Sequence, residues 1–193
     1  MRVGVLALQG DFREHLAVLA KLGHDGVEVR TEEELEGVEA LIIPGGESTT
    51  IGRLATIYGL IEPLRNRIED GMPVLGTCAG MIFLATATTG KEQPQLAVLD
   101  AVVERNAFGR QVDSFETAIE VEGLDAPIDA VFIRAPWIDK VGGTVDVLAS
   151  VVDPGTGRER PVVVRQGNIF ATSFHPDLTG DGRIHELFLA GGA

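Results

Sequence analysis

Apolar residues along this chain fall into short continuous runs, separated by stretches in which they recur every three or four positions. Val3-Gly4-Val5-Leu6-Ala7-Leu8 is the first run, and Ala40-Leu41-Ile42-Ile43 and Pro73-Val74-Leu75-Gly76 are two more. A strand buried on both faces needs no polar alternation, so each reads as a central strand of a parallel sheet. Val27-Glu28-Val29 predicts a further strand. Between these runs the spacing turns helical. Phe12, Leu16, Leu19 and Ala20 share one face of a helix that Asp11 is placed to cap and Gly23 to end. The acidic residues 31–36 predict a solvated helical turn, residues 48–70 a helix with a break at Gly59, and residues 79–88 another helix. Repeated strand–helix units of this kind predict an α/β fold, a mostly parallel sheet with helices on both faces.

The second half changes character. Residues 97–103, 118–121, 130–133, 145–152, 162–165 and 169–173 are short strand candidates separated by turns. Only at Gly182-Arg183 does a helical pattern return, carried by Leu187, Phe188 and Leu189. Some of these strands are expected to extend the main sheet and others to form an antiparallel layer beside it. No repeat or linker interrupts the chain, which predicts one domain over residues 1–193.

Charge narrows the function. Sixteen Lys and Arg stand against 29 Asp and Glu, a formal net charge of −13. That balance argues against a nucleic-acid phosphate binder and against attraction to an anionic membrane surface. No apolar run approaches the ~18 residues of a membrane span, and the first is too short for a signal-peptide core. A single cysteine excludes an internal disulfide. A reducing, cytoplasmic compartment is the expectation.

That cysteine lies in the most informative stretch, Gly76-Thr77-Cys78-Ala79-Gly80, where a buried strand turns into a helix. This is the setting of a nucleophile elbow, which needs small neighbours because the turn is tight. The following helix aims free N–H groups at the sulfur, and the amide of Ala79 can act as an oxyanion donor. A buried structural cysteine is the alternative. Of the four histidines, His15 and His185 fall within helices, where solvated or core-edge positions are expected, and His24 follows a helix end. His175 closes a strand and is followed by Pro176-Asp177. Catalytic groups collect at the C-terminal ends of parallel strands, so His175 is the candidate base and Asp177 its orienting carboxylate. Pro44-Gly45-Gly46-Glu47-Ser48 is a third candidate, able to present backbone amides to a substrate or to be a tight turn capped by Ser48. No metal is expected, since no His, Cys and Asp cluster shows ligand spacing.

Gly76-Thr77-Cys78-Ala79-Gly80 together with Phe174-His175-Pro176 resembles the class I glutamine amidotransferases. Within them, the segment Leu6 to His15, Pro44 to Thr50, Glu104-Arg105-Asn106-Ala107-Phe108-Gly109-Arg110-Gln111 and Phe132-Ile133-Arg134-Ala135-Pro136 resemble the glutaminase subunits of pyridoxal 5′-phosphate synthases. The resemblance implies a flavodoxin-like three-layer sandwich and a Cys78–His175–carboxylate triad that hydrolyses L-glutamine to L-glutamate and ammonia. It implies that Gly46, Glu47, Ser48, Arg105, Ile133 and Arg134 hold glutamine, and that Gly46 and Ala79 form the oxyanion hole. It implies no cofactor, and a synthase subunit in a hetero-oligomeric complex that takes the ammonia into pyridoxal 5′-phosphate. The family usually has glutamate where this chain has Asp177, one methylene shorter. Another Cys–His hydrolase of the same fold and a non-catalytic scaffold subunit are the competing readings.

Overall fold

The computed structural model describes residues 1–90, 92–105, 114–153 and 156–191. The first half runs β1 (Arg2–Leu6), α1 (Phe12–Lys21), β2 (Asp25–Val29), α2 (Glu32–Glu36), β3 (Ala40–Ile43), α3 (Ser48–Ile57), α4 (Ile61–Glu69), β4 (Val74–Thr77) and α5 (Ala79–Leu84). The second half adds β5 (Ala85–Thr89), β6 (Leu99–Glu104), β7 (Ser114–Ile119), β8 (Ile128–Ile133), β9 (Trp137–Val141), β10 (Asp146–Val152), β11 (Glu159–Gln166), β12 (Ile169–Thr172) and α6 (Arg183–Ala190). The main sheet has the order β10-β11-β12-β4-β3-β1-β2. From β12 to β2 every pairing is parallel, and β11 and β10 extend it antiparallel. A three-stranded sheet, β5-β6-β9, and a β7-β8 hairpin complete the described strands.

Side-chain alternation along the central strands feeds two cores. Leu41 and Ile43 of β3, Val74 of β4 and Ala171 of β12 pack with residues of α2 to α5 and of the β5-β6-β9 sheet. Ala40, Ile42, Leu75 and Phe170 point the other way, onto α1, α6 and the β7-β8 hairpin. Each of these strand residues is buried, which is why the runs carry no polar alternation. The break expected at Gly59 is there, with φ +69 between α3 and α4. The acidic turn is α2, closed by a capping box between Thr31 and Glu34 and anchored by buried Leu35.

Two expectations are corrected, and one strand is new. The helix expected over 79–88 stops at Leu84, and the chain enters β5 directly. Thr86, Thr88 and Thr89 favour the strand because branching at Cβ restricts their helical rotamers. Strand β9 carries no period of its own in the sequence and forms by pairing with β6. Ser48 does not cap α3. Glu47 does, its carboxylate accepting from the amides of Thr49 and Thr50. No helix among the described residues is long and apolar enough to cross a membrane.

Candidate active site

Strands β4 and β12 lie side by side with Thr77 opposite Thr172. The residues that follow them, Cys78 and His175, therefore emerge at the same edge of the sheet. Cys78 adopts φ +48 and ψ −103, outside the region an L-residue prefers, so the elbow stores strain of about 1–3 kcal/mol. Its amide donates to the Thr172 carbonyl at 2.8 Å, which holds the strained turn against β12. The flanking glycines are required by contact. A Cβ on Gly80 would lie 2.0 Å from the Ile43 carbonyl oxygen, and one on Gly76 2.9 Å from the Gly80 backbone. Helix α5 can thus sit directly against β3 and β4.

His175 is fixed through its backbone and its neighbour. Its N–H donates to the Val131 carbonyl of β8 at 3.0 Å. Phe174 packs on Phe132, which stacks on Phe115 with ring centres 4.6 Å apart. The hairpin that holds the histidine also delivers Ile133 and Arg134 to the cleft, the latter at φ +42.

A cleft of about 540 Å³ opens over this edge. Its lining includes Gly46, Glu47, Ser48, Cys78, Ala79, Arg105, Ile133, Arg134 and His175, all of them candidates from the sequence. Gln9, Asp11, Ile82, Pro136 and Leu178 line it as well. Of the segment Glu104 to Gln111, Glu104 and Arg105 belong to the described residues and the remainder lies outside them. The Glu47 carboxylate is committed to the α3 cap and to Arg105, 3.3 Å away, while its amide donates to Gln9 Oε1 at 2.7 Å. Desolvation opposes ionisation of Glu47, but hydrogen bonds from Thr50 and Thr49 outweigh it and hold the pKa down at about 2.

Asp177 does not line the cleft. Its side chain is fully buried, with Oδ1 3.8 Å from His175 Nδ1 and 3.4 Å from His15 Nε2. Neither carboxylate oxygen has a hydrogen-bond partner among the described side chains. Desolvation accordingly raises its pKa, the His175 charge pulls the other way, and the net value is about 6. The carboxylate nearer to His175 is Asp11, with Oδ2 3.3 Å from Nδ1. Asp11 stands at the N-terminus of α1 but makes no side-chain cap, contrary to its expected role. Burial would depress the His175 pKa, but the Asp11 carboxylate, Cys78 and Asp177 more than offset it and push it up to about 10.

His15 and His185 also depart from expectation, both being fully buried rather than solvated or at the core edge. His15 Nδ1 meets His185 Nε2 at 2.8 Å, and its Nε2 meets Thr77 Oγ1 at 3.2 Å. Burial, His185 and His175 all lower the pKa of His15, and burial lowers that of His185 to about 4. Asp11, His175 and Asp177 bring their ligand-type atoms within 4.8 Å of one another, a grouping that sequence spacing does not reveal. Asp11 and His15 both follow the C-terminal end of β1, the edge where Cys78 emerges, but their contacts are set by tertiary placement.

A strained cysteine and a histidine share one cleft at the C-terminal edge of a parallel sheet, on the fold of a glutamine amidotransferase. The chain belongs to the SNO glutamine amidotransferase family, whose model matches residues 5–191. It is 55% identical to the pyridoxal 5′-phosphate synthase subunit PdxT of Mycolicibacterium vanbaalenii, over 98% of this chain and 96% of that protein. It is 56% identical to the protein of the same name from Parafrankia sp., over 97% and 91%. A crystal structure of a glutamine amidotransferase superimposes with a TM-score of 0.92 at 56% identity, covering 98% of both chains. The Thermotoga maritima PurLQS structure shares the fold alone, with a TM-score of 0.73 at 18% identity and coverage of 98% and 97%.

Proposed function

We propose that the chain is the glutaminase subunit of a pyridoxal 5′-phosphate synthase, hydrolysing L-glutamine to L-glutamate and ammonia for vitamin B6 biosynthesis. The observation that carries this reading is the strained Cys78 in one cleft with His175, Gly46 and Ala79. Full-length relatives named as subunits of that synthase support it.

Cys78, as thiolate, attacks the side-chain carboxamide carbon of glutamine. The amides of Gly46 and Ala79 take the developing oxyanion, a contribution worth ~10²–10³ in rate per donor. The protonated His175 gives its proton to the departing ammonia, leaving a γ-glutamyl thioester on the sulfur. Water then attacks the thioester carbonyl, His175 accepts its proton, and glutamate leaves with Cys78 regenerated. Gly46, Glu47, Ser48, Arg105, Ile133 and Arg134 surround the remainder of the substrate. Arg105 and Arg134 supply the positive charge that an α-carboxylate needs, in an otherwise acidic protein.

A synthase subunit receives the ammonia in a hetero-oligomeric complex. Ammonia set free in neutral water is protonated and stops being a nucleophile, so delivery without release is chemically favoured. The reading places the chain in the cytoplasm as one domain over residues 1–193, without nucleic-acid or membrane partners. It also gives the partner a second role. The Gly45 carbonyl accepts from the Asp11 amide at 3.1 Å, and Gly46 at φ +151 has the freedom for a peptide rotation that re-aims its N–H. Docking is proposed to set that peptide. The test is glutamate release with and without the synthase subunit: stimulation by roughly 10²-fold is expected. Equal turnover in both conditions would remove the gating, and no glutaminase activity in either would remove the function.

A further inference from the structure

We propose that Asp11, rather than Asp177, is the residue that positions His175 for catalysis, an inference that rests on the glutaminase reading above. Both carboxylates approach the same ring nitrogen at ion-pair distance, without hydrogen-bond geometry, Asp11 Oδ2 at 3.3 Å and Asp177 Oδ1 at 3.8 Å. The environments of the two also differ. The Asp11 side chain is 38% exposed, so water reaches its carboxylate and little solvation is lost. The Asp177 side chain is fully buried, neither oxygen meets a side-chain hydrogen-bond partner among the described residues, and Oδ1 lies closer to His15 than to His175. A short aspartate side chain placed between two imidazoles is a weaker director of either one.

Two further features are built around the Asp11 contact. The Asp11 amide donates to the Gly45 carbonyl, which fixes the loop bearing Asp11 against the Gly45-Gly46 turn. A Cβ on Gly45 would lie 2.3 Å from His175 Cε1 and 3.2 Å from Asp11 Oδ2, so only glycine leaves room for the two side chains to meet. In this conformation one residue holds both the base, through its carboxylate, and the glycine turn, through its backbone. The other titratable groups around His175 are Cys78 ahead of α5, Asp177 beyond it in sequence, and His15 on α1. His15 makes its own hydrogen bonds to Thr77 and His185, and its burial keeps it neutral, so it adds no competing charge.

The experiment compares Asp11→Asn, Asp11→Glu and Asp177→Asn in the full chain assembled with the synthase subunit. Asp11→Asn is expected to lower kcat by roughly 10²-fold with KM within about two-fold, short of the ~10⁴ lost when a serine triad loses its aspartate. Cysteine relies less on the third member than serine does. Asp11→Glu should restore most of the loss, and Asp177→Asn should cost less than about ten-fold. Ring titration of His175 by NMR, assigned by its disappearance in His175→Gln, reads the contact without turnover. Its midpoint should fall by about a unit or more in Asp11→Asn and by clearly less in Asp177→Asn. A larger kcat loss in Asp177→Asn, or an unmoved His175 midpoint in Asp11→Asn, overturns the assignment. An inactive parent complex would refute the glutaminase reading instead, and the titration would still decide the role of Asp11.

Discussion

Replacing Gly45 by alanine tests how tightly the base is held. The added Cβ would stand 2.3 Å from His175 Cε1 and 2.8 Å from Nδ1. Carbon atoms in contact settle at about 3.5–4.0 Å, so ring and loop must separate by more than an ångström. His175 cannot simply swing away, being 5% exposed with its backbone bonded to Val131. Gly45 itself sits outside the positive-φ region, so alanine brings no backbone strain and the perturbation is purely steric. Overpacking of this kind costs about 1–3 kcal/mol, or a melting temperature lowered by roughly 2–12 °C for a chain of this length. A displacement of about 1 Å at a catalytic group costs on the order of 10² in rate. Gly45→Ala should therefore reduce kcat about a hundredfold in the complex while the protein remains folded by circular dichroism. Turnover within two-fold of the parent would refute the close packing of His175 against the glycine turn.

Cys78→Ala should abolish glutamine hydrolysis and leave glutamine binding measurable by calorimetry, and turnover near the parent level would exclude Cys78 as nucleophile. His175 has a folded-state pKa of about 10, above its ordinary 6.5. Its stabilisation is then complete below pH 6.5 and lost as pH rises through 10. The melting-temperature advantage of the parent over His175→Gln should shrink across that window, and a constant gap would contradict the raised value. Glu47→Ala removes the α3 cap and should cost about 1 kcal/mol, seen as a melting temperature lower by roughly 2–4 °C. An unchanged melt would show that Thr49 and Thr50 find other partners.

The parallel half of the fold was legible because its strands are buried on both faces and its helices are amphipathic, so period and burial agree. The later strands were harder. Ala85 to Thr89 follows a helix without a breaker, and Trp137 to Val141 takes strand form only through its partner β6. That Cys78 and His175 share one cleft follows from their strand-end positions in distinctive local patterns. The contacts of Asp11 could not be read this way, since a helix N-terminus offers an aspartate two uses and only tertiary placement chooses between them. His15 was hidden for the same reason. Its helical position predicts a face, and α6 coming down on that face with His185 decides that it is buried.

The pairing of β12 between β4 and β11 has a consequence for the protein during its synthesis. Cys78 leaves the ribosome about half the chain before His175, and the strand that carries the histidine belongs in the middle of the finished sheet rather than at its edge. Long-range insertion of this kind comes late in folding. Until it happens the thiol has neither its base nor the Thr172 carbonyl that anchors its strained backbone. A nascent or truncated chain therefore displays its cysteine without the strained turn and the neighbouring histidine, and the two come together only once β12 has taken its place.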